Sequence, residues 1–340
     1  MDNIVLLSGN SNFSLALKIA KKLNVSMTKD NIPTMFANTE WHCHIHDNLR
    51  GKDIFIIQSG CINKDKGYSV NDILFETLIL VDACRRSAAS TVNIIMPIYP
   101  YARGDKKDEP RAPIPAKLLA NLFVSVKIDR LVSVDLHATQ IQGFLDIPFD
   151  NLYSVNLVID CLNKNIFKDL SLEDKQKKYI VVSPDAGAVK RTLSFSSKMK
   201  LDTIIMHKQR SYNKESTIDK SVLIQENGQG NYMKNEGKTA IICDDIADTC
   251  GTLISVINEL VNHNITNIIC VITHGIFSKD AIQKINSCPY INKIYVSDSI
   301  PQEKNMELCP KLEVFTLSTL LSDVIERIIT RKPISELFVL

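Results

Sequence analysis

The residues best placed for chemistry lie in the stretch Thr239–Thr252, which joins an apolar run to a segment with helical spacing. The run over residues 240–243 is typical of a strand buried on both faces, and Asp244 and Asp245 follow it directly. Next comes a loop with two threonines and Gly251, which has no Cβ to hold a ligand away. Loop amides and a helix N-terminus can face a phosphate, while carboxylates can accept hydrogen bonds from sugar hydroxyls or share a hard metal ion. This order predicts a sugar-phosphate pocket.

An ordinary turn is the alternative interpretation of this stretch, with Asp248 or Thr249 capping the helix that follows. For a pair of aspartates alone, the turn would be the better explanation. The Thr-Cys-Gly-Thr sequence over residues 249–252 favours the pocket, because it adds hydroxyl donors and a glycine at the spacing that a phosphate needs.

A basic segment over residues 100–107 is a second candidate, and it continues through prolines to Arg111 and Lys117. It follows a predicted strand, and its arginine and lysine side chains are suited to clamping a triphosphate. The alternative is a solvated surface loop.

A third group combines Asp135 and His137, at the end of a predicted strand, with Asp146 and Asp150 shortly after them. A histidine grouped with carboxylates is suited to holding a nucleotide-bound Mg²⁺. A single histidine at a strand end is also compatible with a purely structural role.

Residues 207–210 form the last candidate, in which Lys208 and Arg210 open a long polar run. Two cations at the start of a mobile loop are suited to closing over a phosphoryl group. A hydrated hairpin is the alternative.

Apolar runs and helix-period segments alternate along most of the chain, which predicts an α/β class with parallel sheets. The predicted strands are Ile4–Leu7, Asp53–Gln58, Val92–Met96, Leu131–Val134, Tyr179–Val182, Ala240–Cys243, Asn267–Ile272, Ile294–Val296 and Val314–Thr316. The predicted helices are Ser14–Leu23, Asn71–Cys84, Ala116–Val124, Val155–Leu162, residues 253–260, Ala281–Ile285 and Leu320–Ile329. We place a domain boundary near Asn151, giving domains 1–151 and 152–340, and expect that the final helix can pack back on the first.

Bulk composition indicates a soluble globular protein, with 45% hydrophobic and 23% charged residues in 340. A net charge of +2 gives no reason to expect a nucleic-acid or membrane partner. The nine cysteines are scattered singly, as in reduced cytoplasmic proteins. The apolar run at the N-terminus is too short for a signal peptide, and no window approaches a transmembrane length.

Taken together, these segments resemble successive motifs of the ribose-phosphate pyrophosphokinases, or phosphoribosyl-pyrophosphate synthetases, of the phosphate-dependent type. The resemblance spans nearly the whole chain, in the family's order. The segments that carry it are Pro100–Lys107, Val134–Gln142, Asp146–Pro148, Ser183–Gly187, Asp244–Thr252 and Thr273–Ser278.

The resemblance implies two tandem phosphoribosyltransferase-type domains, each a mainly parallel sheet flanked by helices. It implies transfer of the β,γ-diphosphate of Mg-ATP to the 1-hydroxyl of ribose 5-phosphate, with release of AMP. The first domain would bind ATP and the second ribose 5-phosphate. It further implies a homo-hexamer built from dimers, with phosphate and ADP as effectors.

Site residues follow from the resemblance position by position. Lys208 and Arg210 would be catalytic. ATP would be bound by Phe36, Asn38, Glu40, Arg103, Asp105, Lys107 and His137. Ribose 5-phosphate would be bound by Asp244, Asp245, Asp248, Thr249, Cys250, Gly251 and Thr252. Mg²⁺, the implied cofactor, would be held by residues drawn from Asp135, His137, Asp146, Asp150 and Asp185. The adenine-binding residues 36–40 would come from a neighbouring subunit.

Two other functions stay open. One is a non-catalytic regulatory homologue, which would tend to lose the loop cations or alter the ribose pocket, and here both are present. The other is a phosphoribosyltransferase acting on a base, which would not carry the first half of this chain.

Several positions depart from the family's pattern. Gly104 replaces a glutamine, so we expect weaker ATP binding, relieved by Gly104→Gln unless that side chain crowds the site. Ala188 replaces a glycine, and the stretch 226–238 is longer than usual. His42, His44 and His46 could suggest zinc, but we interpret them as exposed residues on one face of a strand.

Overall fold

The apolar runs of the sequence form parallel strands in two sheets. The computed structural model describes residues 3–209, 220–225 and 235–338, with the backbone only for 207–209 and 220–225. The strands are β1 (Ile4–Ser8), β2 (Thr34–Met35), β3 (Trp41–His42), β4 (Asp53–Ile57), β5 (Thr91–Ile95), β6 (Arg130–Val134), β7 (Phe149–Leu152), β8 (Tyr179–Ser183), β9 (Thr203–Gln209), β10 (Lys220–Gln225), β11 (Thr239–Ala247), β12 (Asn267–Gly275), β13 (Ile291–Ser297) and β14 (Leu312–Phe315).

Helices separate most of these strands. They are α1 (Phe13–Leu23), α2 (Val70–Arg86), α3 (Pro115–Ser125), α4 (Val155–Asn165), α5 (Leu172–Lys178), α6 (Val189–Met199), α7 (Gly251–Asn262), α8 (Ala281–Ser287), α9 (Glu303–Leu308) and α10 (Ser318–Ile329), with 3-10 helices at Thr139–Phe144 and Ser335–Phe338. In the described part of the chain, no helix has both the length and the apolar character needed to cross a membrane.

The first compact unit is built on a five-stranded sheet in the order β1-β4-β5-β6-β7, with every pairing parallel. Its central strands are buried on both faces, and Ile54, Ile56, Val92 and Ile94 have 0% exposure. Burying each such side chain stabilises the fold by roughly 1.5–3 kcal/mol. A separate two-stranded hairpin, β2-β3, belongs to this unit.

The second compact unit is built on a seven-stranded sheet in the order β10-β9-β8-β11-β12-β13-β14. All its pairings are parallel except that of β10 with β9. A core of aliphatic side chains from these strands and from α7 and α8 lies on one face of the sheet. The acidic pair lies towards the carboxyl end of one of these strands, β11.

The chain passes from the first unit to the second after Ser154 and returns twice. Residues 299–301 and those from Thr316 onward belong to the first unit. Helix α10 packs there against α1.

The predicted α/β class is confirmed, with parallel sheets flanked by helices. The sequence missed β7, whose Phe-Asp-Asn-Leu sequence lacks an apolar run. Its polar residues are buried because each has a specific partner: Arg130 pairs with Asp150, and the Asn151 Oδ1 accepts a hydrogen bond from the Leu136 amide at 2.9 Å.

Candidate functional site

The acidic pair lies inside a strand, not after one as predicted. β11 continues through Asp244 and Asp245 to Ala247, because β12 is equally long and pairs with it up to Ala247↔Gly275. The Asp245 amide donates to the Asp244 Oδ1 at 2.9 Å, and the Asp245 Oδ1 lies 3.4 Å from the Arg191 Nη1. The pair is therefore held in place by the sheet, with the Arg191 guanidinium beside it.

Negative charge is concentrated at this point of the second unit. Burial raises the pKa of Asp244 well above its usual range, and the neighbouring charge and hydrogen bond of Asp245 raise it further. Arg191 acts in the opposite direction, while Asp185 adds to the repulsion. Three carboxylates and one guanidinium make a site that favours hydroxyl donors or a hard cation.

The turn after β11 presents backbone amides. Cys250 is the N-cap of α7 and has a left-handed backbone, with φ 59° and ψ 11°, which costs a non-glycine residue about 1–2 kcal/mol. Cys250 makes no side-chain capping bond, and the N-cap position is not Asp248 or Thr249, the two residues of the alternative interpretation. A Cβ added at Gly251 would lie 3.9 Å from the nearest atom, the Thr249 Oγ1, which leaves open space over the exposed helix start. This is the geometry of an anion site.

Residues far away in the sequence support that turn. The Ile276 amide donates to the Ala247 carbonyl at 2.9 Å, and the Ser278 amide to the Asp248 carbonyl at 3.0 Å. Lys284 Nζ on α8 donates to the Thr249 carbonyl at 3.2 Å. Sequence analysis missed Lys284 and Arg191, because no local pattern shows that a basic residue contacts a residue far away in the sequence.

Asp185 is fixed by the loop between β8 and α6. Its Oδ1 accepts from the Ala188 amide at 2.9 Å, and its carbonyl accepts from the Ser183 Oγ at 2.8 Å. Ala188 has φ −82° and ψ −9°, an ordinary right-handed conformation that needs no glycine. The departure at this position therefore causes no backbone strain.

In the first unit, the basic segment is anchored by a carboxylate. Asp105 is buried and accepts from the Gln140 Nε2 at 2.6 Å, while Arg103 and Lys107 are exposed. A Cβ added at Gly104 would lie 2.8 Å from the Pro115 Cδ, at the first residue of α3. The loop is thus closely packed where the chain departs from the family's pattern.

Asp135 and Asp150, two of the five residues expected near a metal, are engaged by side chains of the protein. Asp135, buried and with φ 44°, accepts from the amide of Ser154 at 3.3 Å and from its hydroxyl. Asp150 pairs with Arg130: burial raises its pKa, and the arginine opposes that shift. His137 and Asp146 are exposed. Among residues 3–209, 220–225 and 235–338, no three or more His, Cys, Asp or Glu side chains form a ready metal cluster.

The hairpin β2-β3 carries the residues expected to bind adenine. Phe36, Asn38 and Glu40 lie exposed at its tip, with Phe36 54% exposed. The Phe36 amide donates to the Glu40 carbonyl at 2.8 Å and closes the turn.

The three histidines do not share a strand, which corrects that prediction. β3 ends at His42, although His44 and His46 keep the alternating exposure and pack their rings at 4.5 Å.

The predicted catalytic residues Lys208 and Arg210 lie at the end of β9 and just after it. The backbone of Lys208 lies in β9, paired with Ser221, while its side chain lies outside the described residues. Arg210 and residues 226–234 of the long 226–238 stretch also lie outside them.

Family models match both parts of the chain. One described as the N-terminal domain of ribose phosphate pyrophosphokinase matches residues 4–126, and one described as a phosphoribosyl synthetase-associated domain matches residues 232–339. Among solved structures, the chain is similar to the phosphoribosylpyrophosphate synthetase of Mycobacterium smegmatis. That match has 31% identity and a TM-score of 0.83, covering 97% of this chain and 99% of that one.

Solved phosphoribosyltransferases match only part of the chain. Hypoxanthine phosphoribosyltransferase of Staphylococcus aureus has 16% identity and a TM-score of 0.27, covering 41% of this chain and 71% of that one. Adenine phosphoribosyltransferase of Saccharomyces cerevisiae has 20% identity and a TM-score of 0.26, covering 36% and 66%. With TM-scores this low, these two matches do not bear on the function of the chain.

Proposed function

The chain belongs to the ribose-phosphate pyrophosphokinase family, and from that premise we propose that it transfers the β,γ-diphosphate of Mg-ATP to the 1-hydroxyl of ribose 5-phosphate. The observation that supports this most directly is the start of α7, where a left-handed Cys250 with no side-chain capping bond precedes an exposed glycine. The half-buried Asp244 and the buried Asp245 lie shortly before it in the chain. A phosphate and a sugar diol together fit those two features.

Ribose 5-phosphate would bind in the second unit. The first amides of α7 and the hydroxyls of Thr249 and Thr252 would hold the 5-phosphate. Asp244 and Asp245 would accept hydrogen bonds from sugar hydroxyls, and Arg191 would keep their combined charge in balance. Lys284 would keep the turn in place through the Thr249 carbonyl.

ATP would bind to residues of the first unit. Arg103 and Lys107 are exposed cations suited to a triphosphate, and the bond from Gln140 to Asp105 would hold their loop in position. Phe36, Asn38 and Glu40 would contact adenine from a neighbouring copy of the chain.

The residues expected near a metal fit a Mg²⁺ ion that is bound partly by the protein and partly by the substrates. The excess carboxylate near Asp244 is suited to a hard cation, and Mg²⁺ commonly takes one or two protein carboxylates with substrate phosphates supplying further ligands. In the second unit we assign such a contact to Asp185, and in the first unit, separately, one to His137. Asp135 and Asp150, whose carboxylates are engaged by Ser154 and Arg130, are given positioning roles. Asp146 is exposed, and we keep it as a candidate Mg²⁺ contact. When bound, the ion neutralises the nucleotide and lowers the pKa of the attacking hydroxyl.

The reaction needs positioning more than covalent chemistry. The 1-hydroxyl oxygen forms a bond to the β-phosphorus, the bond from that phosphorus to the α,β-bridging oxygen breaks, and AMP leaves. The hydroxyl proton passes to solvent. Lys208 and Arg210 would stabilise the charge that builds on the transferred group.

Product analysis tests this function. With β-labelled ATP, Mg²⁺ and ribose 5-phosphate, we expect label in the sugar product and an equal amount of AMP. Formation of ADP would indicate an ordinary kinase and contradict the proposal. Pyrophosphate release that depends on a base would indicate a phosphoribosyltransferase, and no turnover a regulatory homologue. A homo-hexamer, effects of phosphate and ADP, and a cytoplasmic location are further proposals from family membership.

A further inference from the structure

A buried polar cluster, none of whose residues has been assigned a role above, lies at the carboxyl ends of β1 and β4. Its centre is Glu76 on α2, which has 0% exposure. The Glu76 Oε1 accepts from the Asn10 amide at 2.9 Å and from the Asn10 Nδ2 at 2.6 Å, and the Oε2 accepts from the Gln58 Nε2 at 2.7 Å. Gln58 in turn accepts from the Ser11 hydroxyl at 2.6 Å. We call these residues, with Lys66, the Glu76 cluster.

Such a carboxylate is costly for the fold. Burial raises the pKa of Glu76 to about 7, although its hydrogen bonds and Lys66 act to lower it. An apolar side chain at this position of α2 would avoid that desolvation. The cluster therefore needs an explanation beyond packing.

The cluster reaches the hairpin β2-β3 through Asn10. The same Asn10 Nδ2 that binds Glu76 donates to the carbonyl of Pro33 at 2.8 Å, directly before β2. Lys66 Nζ donates to the Asn10 Oδ1 at 2.6 Å. One side chain thus joins the buried carboxylate to the first arm of the hairpin.

The second arm is held by the same surroundings. Trp41 on β3 packs edge-on against Tyr68, with ring centroids 4.9 Å apart. Tyr68 pairs with Asn63, and the Asn63 Nδ2 donates to the Asn10 carbonyl at 2.8 Å. Both arms therefore depend on contacts centred on Asn10.

The two units treat equivalent positions differently. Counted from the first paired residues of β1-β4 and β8-β11, Ile4↔Asp53 and Tyr179↔Thr239, Asn10 corresponds to Asp185 and Gln58 to Asp244. The first unit thus has amides where the second has carboxylates, and its carboxylate comes from Glu76. Here the carboxylate binds the protein's own amides.

We propose that Glu76 is a positioning residue for the nucleotide. It holds Asn10, and through Asn10 it fixes the base of the hairpin whose tip carries Phe36, Asn38 and Glu40. This inference rests on the proposed function only in that the tip contacts adenine.

Glu76→Gln tests the inference, because it keeps the shape of the side chain but places an amide nitrogen against the donors. Gln58 cannot turn over to compensate without placing its amide nitrogen against the Ser11 backbone amide, which donates to the Gln58 Oε1 at 3.1 Å. Trp41 is the single tryptophan of the chain and reports on the hairpin. We expect stronger acrylamide quenching of Trp41, a KM for ATP raised about five- to tenfold and an unchanged KM for ribose 5-phosphate.

Gln58→Glu combined with Glu76→Gln restores the hydrogen bond between positions 58 and 76, with the amide now at position 76 and the carboxylate at position 58. Trp41 quenching and the KM for ATP should therefore return most of the way to wild-type values. Should the Gln variant fail to fold, Lys66→Met removes one bond to Asn10 from an exposed residue and should give the same pattern more weakly. Lys64→Met, at a nearby exposed lysine, is the matched control.

Three results would overturn the inference: Trp41 quenching unchanged in the folded variants, a loosened hairpin with an unchanged KM for ATP, or an equal rise in both KM values. Failure of the proposed function is separate from these results. It would appear as a wild-type protein that forms no AMP.

Discussion

Arg191 is the residue that sets the charge balance of the acidic pair. Its guanidinium lies 3.4 Å from Asp245 and lowers the pKa of Asp244, which burial has raised. An aspartate accepts hydrogen bonds from two sugar hydroxyls best when ionised. The charge state of Asp244 should therefore control how ribose 5-phosphate binds at low pH.

We predict that Arg191→Met raises the KM for ribose 5-phosphate about tenfold, which corresponds to about 1.4 kcal/mol. Without the cation, the raised pKa of Asp244 rises further, so more of the carboxylate is protonated at any given pH. The acid limb of the profile of kcat/KM for ribose 5-phosphate should therefore move to higher pH. Profiles measured from about pH 6 to about pH 9 test this.

Lys190→Met provides the matched control, since Lys190 is adjacent but exposed. An acid limb that stays in place in the Arg191 variant would show that Asp244 binds the sugar in its neutral form, or not at all.

At this scale, the sequence revealed residues within one motif but not their partners. Asp244, Asp245 and Gly251 could be predicted because they follow one another in a short stretch. Arg191 and Lys284 could not, because their contacts with Asp245 and Thr249 exist only after β8, β11 and β12 have paired and placed α6 and α8. The role of Glu76 was not predicted for the same reason, because its partners Asn10 and Gln58 are distant in the sequence.

Among the elements, long apolar strands were predictable and polar ones were not. β4 (Asp-Ile-Phe-Ile-Ile) and β5 (Thr-Val-Asn-Ile-Ile) are mostly apolar, so their position follows from burial on both faces. β11 extends past its run because pairing with β12 satisfies its backbone, whatever the charge of Asp244. β7 depends on side-chain partners that no local pattern shows.

The start of α3 explains the departure at Gly104. Pro115 is the first residue of that helix, where its missing amide has no cost. Its ring lies where a Cβ at position 104 would be, 2.8 Å from that atom. Of the two outcomes expected from the sequence for Gly104→Gln, the structure therefore favours crowding.

We predict that Gly104→Gln raises the KM for ATP about three- to tenfold, because the loop between Arg103 and Asp105 must shift to make room. Gly104→Gln combined with Pro115→Ala should recover most of this loss, as the ring no longer obstructs the side chain. Steady-state kinetics with ATP varied at saturating ribose 5-phosphate provide the measurement.

Gly143→Ala is the control for a generic loss of glycine, since an added Cβ there meets no atom within 4 Å. A lower KM for ATP in the single Gly104 variant would refute the crowding argument and show that the missing amide matters more.

For the whole molecule, the division of labour follows the two compact units. The residues proposed for ATP all lie in the first unit, and those proposed for ribose 5-phosphate all lie in the second. From the sequence we expected that the final helix can pack back on the first domain, but the alternation of strands and helices could not place the brief return at residues 299–301 or the one at Thr316. That return depends on the packing of α10 against α1, which apolar spacing alone does not specify.

The exposed tip of the hairpin also bears on how copies of the chain assemble. Phe36 is a large aromatic side chain, 54% exposed at the tip of a hairpin whose two arms are fixed in the first unit. An exposed aromatic on a rigid support suits a contact made to another molecule. If the tip completes the nucleotide site of a neighbouring copy, each active site uses the hairpin tip of one chain and the catalytic cation of another. A variant that lacks the tip and a variant that lacks the cation then damage that site through different chains.

We predict complementation between two inactive variants, Phe36→Ala and Lys208→Ala. Each alone should lose most of its activity, because every site lacks either the adenine contact or the catalytic cation. In mixed assemblies formed by co-expression, a site that combines the tip of one variant with the Lys208 of the other is intact. Random mixing in equal amounts should therefore restore about a quarter of wild-type activity in a symmetric oligomer. The same two variants purified separately and mixed without subunit exchange serve as the control. Should co-expressed assemblies of proven mixed composition stay as inactive as the separate variants, the tip and the cation would have to act within one chain.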